Sequence, residues 1–494
     1  MATKSRLEEI RNIRLQKLDD LRGMGIDPYP ARLREGRQEI KAATSEMGNE
    51  ASLAGRILGV RGHGKIYFMD IADESGKVQL LFQRKALPDG FGQVELFDIG
   101  DFLWARGKVF QTESGETTVD VADFQLLAKS IRPLPSSWHG LKDVEERYRK
   151  RYLDTMLNPE AKARLRARSK VISAMREFLD ERGFLEVETP TLQPIYGGGF
   201  ARPFVTYHNA LEADFYLRIS DEMYLKRLIV GGFDKVYEIT KVFRNEGVDH
   251  DHNPEFTMFE AQVAYEDYIY GMDLTEEMLE HVANASFGVD EFEYEGQRLN
   301  FKRPWKRTSV VEAIEEYAGL KPLEWGSLSE AKDVVKAVVA GGKADELDRM
   351  GSIGEVIAFA FEEMVEEKLI QPTFVYDYPV EVSPLAKKSK DPRFTERFEL
   401  FAFGMELGNN YSELNDPVDL RQRFVEEKKR EQAGFDEAHQ TDEDYLEAIE
   451  HGFPPTSGLG IGIDRLVMLL TGSPNIKEVI AFPTLRPKHT NDKK

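Results

Sequence analysis

At 494 residues, 41% hydrophobic and 31% charged, with 30 Phe and 18 Tyr to fill cores, the chain reads as a globular protein of about three domains. It has no cysteine, which excludes disulfides, cysteine-ligated zinc and a thiol nucleophile, and which fits a reducing compartment. The net charge of −21 excludes a uniformly basic nucleic-acid binder, but phosphate contact needs only a local basic patch, because salt screens charges beyond about 8–10 Å.

Residues 1–48 form an N-terminal helical extension. Leu7, Ile10, Ile13, Leu18 and Leu21 recur near helical spacing over 5–24, and Pro28 and Pro30 end the pattern. The start lacks the apolar stretch of a signal peptide, and no apolar run approaches the ~20 residues that cross a bilayer. A cytoplasmic location with no membrane partner is expected.

Over 50–130 the pattern changes to short strands, at 53–57, 66–71, 77–82, 102–110 and 117–127, punctuated by glycines. Five short strands in so few residues suit an OB-fold barrel, a common oligonucleotide platform. A linker follows over 131–141, where Pro133 and Pro135 rule out a central strand.

Residues 142–490 mix helices and strands, an α+β domain. Between Lys142 and Lys170 ten basic residues face five acidic ones, which suits phosphate contact or, equally, a solvated helix face of mixed charge. A long helix over 160–182 carries Leu165, Ile172, Met175 and Leu179 on one face; Gly183 stops it, and a strand over 184–189 closes at Pro190. A helical insertion over 327–370 opens with Ser327 and Glu330 as a capping box.

Three segments of this domain carry chemistry. In the first, a strand over 236–242 delivers Arg244, a polar loop turns at Gly247, and a second strand returns from Phe256 to Glu260. Such a hairpin holds an arginine, the residue suited to bidentate grip on phosphate or carboxylate, on ordered backbone. An Arg–Glu cross-strand pair facing solvent is the bland alternative. In the second, Gly404 suggests a turn centred between Ala402 and Phe403, which sets Glu399 directly opposite Glu406. Two carboxylates so close need a proton, water or a divalent cation between them. Mg²⁺ bridging to nucleotide phosphates is the sharper reading. In the third, Gly458, Gly460 and Gly462 alternate along a strand that leads into an apolar helix over 464–471, with Arg465 at its start able to grip a phosphate or to cap a surface. Neither a Gly-x-Gly-x-x-Gly nor a Walker lysine motif is present, so the nucleotide site is neither Rossmann nor P-loop.

These segments resemble motif 2, the metal-binding strands and motif 3 of class II aminoacyl-tRNA synthetases, and the stretch from Gly183 to Pro190 with its preceding helix resembles motif 1, the dimer-interface element. The stretches 244–247, 252–256, 378–385 and 458–465 resemble the class II lysyl-tRNA synthetases in particular, and the likeness runs from about residue 52 to Pro487. The resemblance implies an antiparallel-sheet catalytic domain preceded by an OB-fold that reads the anticodon. It implies ATP-dependent activation of L-lysine, transfer of lysine to tRNA(Lys), and a homodimer formed through motif 1. By the same resemblance Arg244 and Arg465 are catalytic, Arg244, Glu246, His252, Phe256 and Arg465 bind ATP, and Glu399 and Glu406 ligate Mg²⁺. The implied lysine pocket is Glu222, Arg244, Glu260, Gln262, Asn409, Tyr411 and Glu413. Gln262 departs from the family's usual tyrosine, though its oxygen can still accept from an ammonium. Phe68 and Gln79 match the pair that holds an anticodon base, and Asp123 stands where a glutamate contact is expected. An aspartate-type pocket would need cations where this chain offers three glutamates. A non-catalytic paralogue would have lost a motif arginine or the Glu399–Glu406 pair, and none is lost.

Overall fold

The computed structural model describes residues 2–135, 141–199, 201–339, 343–432 and 441–488. They form two units that divide between Leu141 and Lys142; the part of the expected linker at 136–140 lies outside the described residues.

In the first unit, β1 (Glu50–His63), β2 (Ile66–Ala72), β3 (Lys77–Gln83), β4 (Phe102–Gln111) and β5 (Thr117–Ala128) close a barrel in the order β1-β2-β3-β5-β4. The strand β1 is longer than its apolar run because it serves both sides. It pairs with β4 over Glu50–Arg56 and with β2 over Arg56–His63, bending at a bulge between Ile57 and Gly59. Inward residues such as Leu53, Met69, Leu80 and Phe82 fill the core. The helix Ala2–Gly23 belongs to this unit. Only Leu18 and Leu21 of its expected stripe are buried, while Leu7 and Ile13 are exposed. The stripe gives way to polar docking: Arg14 donates to the carbonyls of Ser130 and Ile99, each at 2.9 Å, and Lys17 pairs with Asp98 at 2.7 Å.

The second unit contains β6 (Leu185–Glu186), β7 (Leu192–Gln193), β8 (Val205–His208), β9 (Ala213–Leu217), β10 (Lys235–Phe243), β11 (Glu255–Ala264) and β12 (Glu291–Tyr294). It continues with β13 (Gln297–Asn300), β14 (Lys306–Ser309), β15 (Thr373–Tyr376), β16 (Arg397–Ala402), β17 (Met405–Ser412) and β18 (Thr456–Gly462). Eight of them form one sheet in the order β14-β15-β16-β17-β18-β11-β10-β6, antiparallel except at its two edges. One face packs on the helices Pro159–Asp180, Tyr268–Phe287 and Ile463–Thr471, through Phe259, Ala261, Leu459, Ile461, Phe398 and Leu400 among others. Side chains alternate along a strand, so Met258, Glu260, Gln262, Gly458, Gly460, Arg397 and Glu399 line the opposite face, which is open.

Three local expectations are corrected, and one that was open between two readings is narrowed. The buried face of Pro159–Asp180 is Val171, Ala174, Met175, Phe178 and Leu179, whereas Leu165 and Ile172 are half-exposed. The strand after Gly183 is only Leu185–Glu186, held in parallel to β10. Ser327 caps the backbone N–H of Glu330 at 3.2 Å, but the Glu330 carboxylate accepts from Gly326 instead, leaving half a capping box; complete boxes occur at Ser309–Glu312 and Ser352–Glu355. The basic stretch from Lys142 is largely tied up internally: Arg147 and Arg151 both hold Asp154, Arg164 holds Glu478 and Arg168 holds Asp464. Those residues are structural ion pairs rather than a phosphate-binding patch.

Candidate active site

On the open face of the large sheet lies a cavity of about 390 Å³, within the size range of small-molecule sites. The strand β11 supplies Phe256, Met258, Glu260 and Gln262, and β18 supplies Gly458, Gly460 and Gly462. The glycines have a plain reason: a Cβ at Gly458 would meet Glu413 Oε1 at 2.0 Å and Gln262 Nε2 at 2.6 Å. The bare strand lets those side chains cross over it.

The hairpin β16–β17 departs from its expected register. Phe403 and Gly404 both take positive φ, 54° and 68°, forming a two-residue turn one position later than expected. Ala402 faces Met405, Phe401 faces Glu406, and a bulge then sets Leu400 opposite Gly408 and Glu399 opposite Asn409. Glu399 and Glu406 are therefore not cross-strand partners. The bulge inverts the alternation of β17, so Glu406 on one side of it and Asn409, Tyr411 and Glu413 beyond it all line the cavity.

One end of the cavity is acidic. Glu222 opens the helix Glu222–Val230, and Glu260, Glu413 and Gln262 converge on the same space. The Glu260 carboxylate accepts from Ser220 Oγ at 2.9 Å; burial first, then Glu222, pushes it up to about 7. Beside it the fully buried Asp221 is pushed well above the carboxylate range by burial and then by Glu260. Burial lifts Glu413 to about 8 against the opposing pull of Lys226. Gln262 Oε1 is buried without a hydrogen-bond partner. Lys226, one turn after Glu222, forms ion pairs with both Glu222 and Glu413.

The other end is cationic. Arg244 is paired with no carboxylate among the described residues; its guanidinium lies 5.2 Å from the Phe256 ring centroid, and its buried Nε–H has no acceptor. A buried donor without a partner is costly and points to a ligand oxygen. The loop after Arg244 is tied down where Arg244 N–H donates to Pro254 at 2.9 Å and where Ile476 N–H donates to His250 at 2.7 Å. Arg465 projects from the first turn of Ile463–Thr471, held by Glu406 O at 2.8 Å and His252 Nε2 at 3.0 Å. Its neighbour Asp464 locks that helix start to β11 by accepting from Thr257 N–H and Arg168, each at 2.6 Å. His252 is raised, first by its hydrogen bond to Asp251.

Between the two ends, Glu399 accepts from Tyr378 O–H at 2.8 Å and pairs with Arg397; burial, reinforced by Glu406, lifts it to about 7. Arg397 also spans to Asn409 Oδ1 at 3.2 Å and Val382 O at 2.7 Å. Glu366, pushed up to about 8 by burial and then by Glu399, adds a third carboxylate nearby. Crowded oxygen donors that resist ionising together fit a divalent cation. Asp249, Asp251 and His252 also lie within ion-sharing distance, but Arg465 Nη2, 3.8 Å from Asp251, competes for that position.

The cavity thus brings together Glu222, Arg244, Glu246, His252, Phe256, Glu260, Gln262, Glu399, Glu406, Asn409, Tyr411, Glu413 and Arg465. In the barrel unit Phe68 and Gln79 are half-buried on the outer side of adjacent strands, two register positions apart, and Gln79 accepts from Thr118 at 3.0 Å. Asp123 is engaged by Arg34 at 2.7 Å. Tyr378 entered the sequence reading only as the first residue of the stretch 378–385, and Lys226, Asp221, Ser220, Arg397 and Glu366 were not singled out from sequence. Of these only Lys226 carried a signal, its helical spacing of four from Glu222.

Residues 143–486 match the sequence model of a family described as tRNA synthetases class II (D, K and N), and residues 51–134 match that of an OB-fold nucleic acid binding domain. Lysine–tRNA ligases from Syntrophomonas wolfei and Carboxydothermus hydrogenoformans are each 50% identical to the chain, covering 98% of it and 98% and 99% of their own lengths. That of Bacillus subtilis is 47% identical, with 98% of each chain covered. With its barrel, its antiparallel sheet and its glycine-lined cavity, the chain belongs to the class II tRNA synthetases (D, K and N).

Proposed function

We propose that the chain activates L-lysine with ATP and transfers it to the 3′ end of tRNA(Lys). The observation that carries this reading is the polarity of one cavity, with three glutamates at one end and, at the other, an arginine that has no carboxylate partner among the described residues. Near-full-length likeness to lysine–tRNA ligases supports it.

A lysine side chain entering the acidic end would give its ammonium to Glu260, Glu413 and Gln262 Oε1, because an ammonium removed from water needs anionic and neutral acceptors. Its carboxylate would then lie near Arg244 and Asn409. ATP would be held with adenine on Phe256, its phosphates gripped by Arg244 and Arg465, and Glu246 and His252 along the loop. The lysine carboxylate attacks the α-phosphorus in line and pyrophosphate leaves; the nucleophile is already ionised, so no protein base is required. A ribose hydroxyl of the tRNA end then attacks the adenylate carbonyl and AMP leaves. Mg²⁺, held by Glu399 and Glu406, would neutralise phosphate charge. Arg244 acts by orienting the two reactants and balancing charge as it develops.

The barrel would read the anticodon through Phe68 and Gln79. A homodimer is supported by the exposed apolar side chains Leu185, Leu192, Val205, Tyr207 and Leu211, which follow the long helix in sequence. A cytoplasmic location is consistent with a cysteine-free chain in which no described helix is long and apolar enough to cross a membrane.

The test is ATP–pyrophosphate exchange with each of the twenty amino acids. Exchange is expected with lysine alone and lost in Arg244→Ala. Exchange with aspartate or asparagine, or Arg244→Ala within tenfold of the parent, overturns the reading.

A further inference from the structure

Lys226 has no side-chain surface to speak of, yet it carries a formal charge deep in the second unit. Its ammonium pairs with Glu222 from the same helix and with Glu413 beyond β17, lies 5.2 Å from the Tyr411 ring centroid, and faces Tyr445 from the helix Glu443–Glu450. Tyr411 donates its hydroxyl to Glu222, and Gln262 stands beside Glu413. Glu222, Tyr411 and Glu413 line the cavity, but Lys226 does not. The resident ammonium therefore sits behind the wall, with the two carboxylates between it and the substrate space.

We propose that Lys226 is a positioning residue for the acidic cage, a built-in counter-ion that keeps Glu222 and Glu413 together as an anionic wall turned toward the incoming ammonium. This rests on the lysine-binding reading of the cavity. Two carboxylates brought together out of water repel, and one takes a proton unless a cation stands between them. Lys226 opposes the burial that favours a proton on Glu413, so the Glu413 charge is available when a substrate cation arrives on the open side. Without it, Glu222 and Glu413 would share a proton, and the cage would lose charge and orientation together. Burial opposes the charge on Lys226, but Glu222 and Glu413 outweigh it and lift the amine well above its ordinary range. It stays cationic wherever the enzyme works. The Glu-to-Lys order at a spacing of four also matches the favourable sense of the helix pair.

The experiment is lysine-dependent ATP–pyrophosphate exchange on the full chain, comparing wild type, Lys226→Met and Lys226→Arg across pH 6–9. Lys226→Met is expected to raise the KM for lysine on the order of tenfold or more at neutral pH, with kcat and the KM for ATP within about threefold. Its KM profile should move to more alkaline pH, because Glu413 then ionises later. Lys226→Arg, which keeps the charge, should recover most of the affinity. A Lys226→Met enzyme whose KM for lysine stays within twofold with an unmoved pH profile overturns the proposal, as does a KM for ATP that rises in parallel. Should Lys226→Met fail to fold, Lys226→Arg decides: a KM for lysine within about threefold supports the proposal, and a larger loss overturns it. Wild-type protein that exchanges with no amino acid, or with one other than lysine, defeats the functional reading itself and is read out separately.

Discussion

Gly458→Ala is the substitution whose outcome the geometry defines most sharply. The added methyl would stand 2.0 Å from Glu413 Oε1 and 2.6 Å from Gln262 Nε2, both inside contact distance, and Gly458 is not among the positive-φ residues. The conflict is therefore purely one of side-chain space. Both offending atoms are the ends of side chains rather than backbone, so the strand stays in place and the cage gives way. Glu413 is held by Lys226, so moving it breaks a buried charge-assisted contact, which costs about 1.5–3 kcal/mol. At 1.4 kcal/mol per factor of ten this predicts a KM for lysine raised on the order of 10- to 100-fold. ATP touches none of these atoms in the proposed complex, so the KM for ATP should be unchanged. Gly460→Ala is the control: its Cβ would meet the mobile Met258 methyl at 3.3 Å and should change the KM for lysine less than threefold. Steady-state exchange with each substrate varied in turn makes the measurement. A Gly458→Ala enzyme with normal lysine affinity, or one impaired equally for ATP, refutes the geometry of the cage.

Glu260 at about 7 and Glu413 at about 8 are both raised first by burial. The folded protein thus keeps protons that the unfolded chain has released, and free-enzyme stability from these groups falls as pH rises from about 4.5 toward 8. Lysine should reverse that loss, so its thermal shift is predicted to be larger at pH 8.5 than at pH 6; an equal or smaller shift counts against a cage that must ionise. Tyr378→Phe removes the hydroxyl donated to Glu399 at 2.8 Å. It should raise the Mg²⁺ concentration needed for half-maximal exchange on the order of tenfold with little change in the KM for lysine, and an unchanged Mg²⁺ dependence would remove Glu399 from the metal site. Phe68→Ala should weaken tRNA by about 1–3 kcal/mol in aminoacylation while leaving exchange intact, and unaltered tRNA affinity would place base stacking elsewhere.

Much of the architecture was legible along the chain because it is local. Short strand-like runs and glycine punctuation marked all five barrel strands, and the alternating glycines of β18 marked a strand whose backbone is closely approached. The chemical identities at the site were equally written in the sequence, since an arginine or a glutamate acts through its own charge. What the tertiary structure decided was who faces whom. The turn at Phe403–Gly404 puts a phenylalanine in the left-handed region, and the bulge in β17 shifts the pairing again, so no sequence period could set the Glu399–Asn409 register. The basic stretch after Lys142 looked available for phosphate until Asp154, Asp464 and Glu478 claimed its arginines. Lys226 is buried only because Glu413 beyond β17 and Tyr445 from the helix Glu443–Glu450 close over it. Charges are fixed residue by residue, but their partners arrive from distant parts of the chain, and only folding selects them.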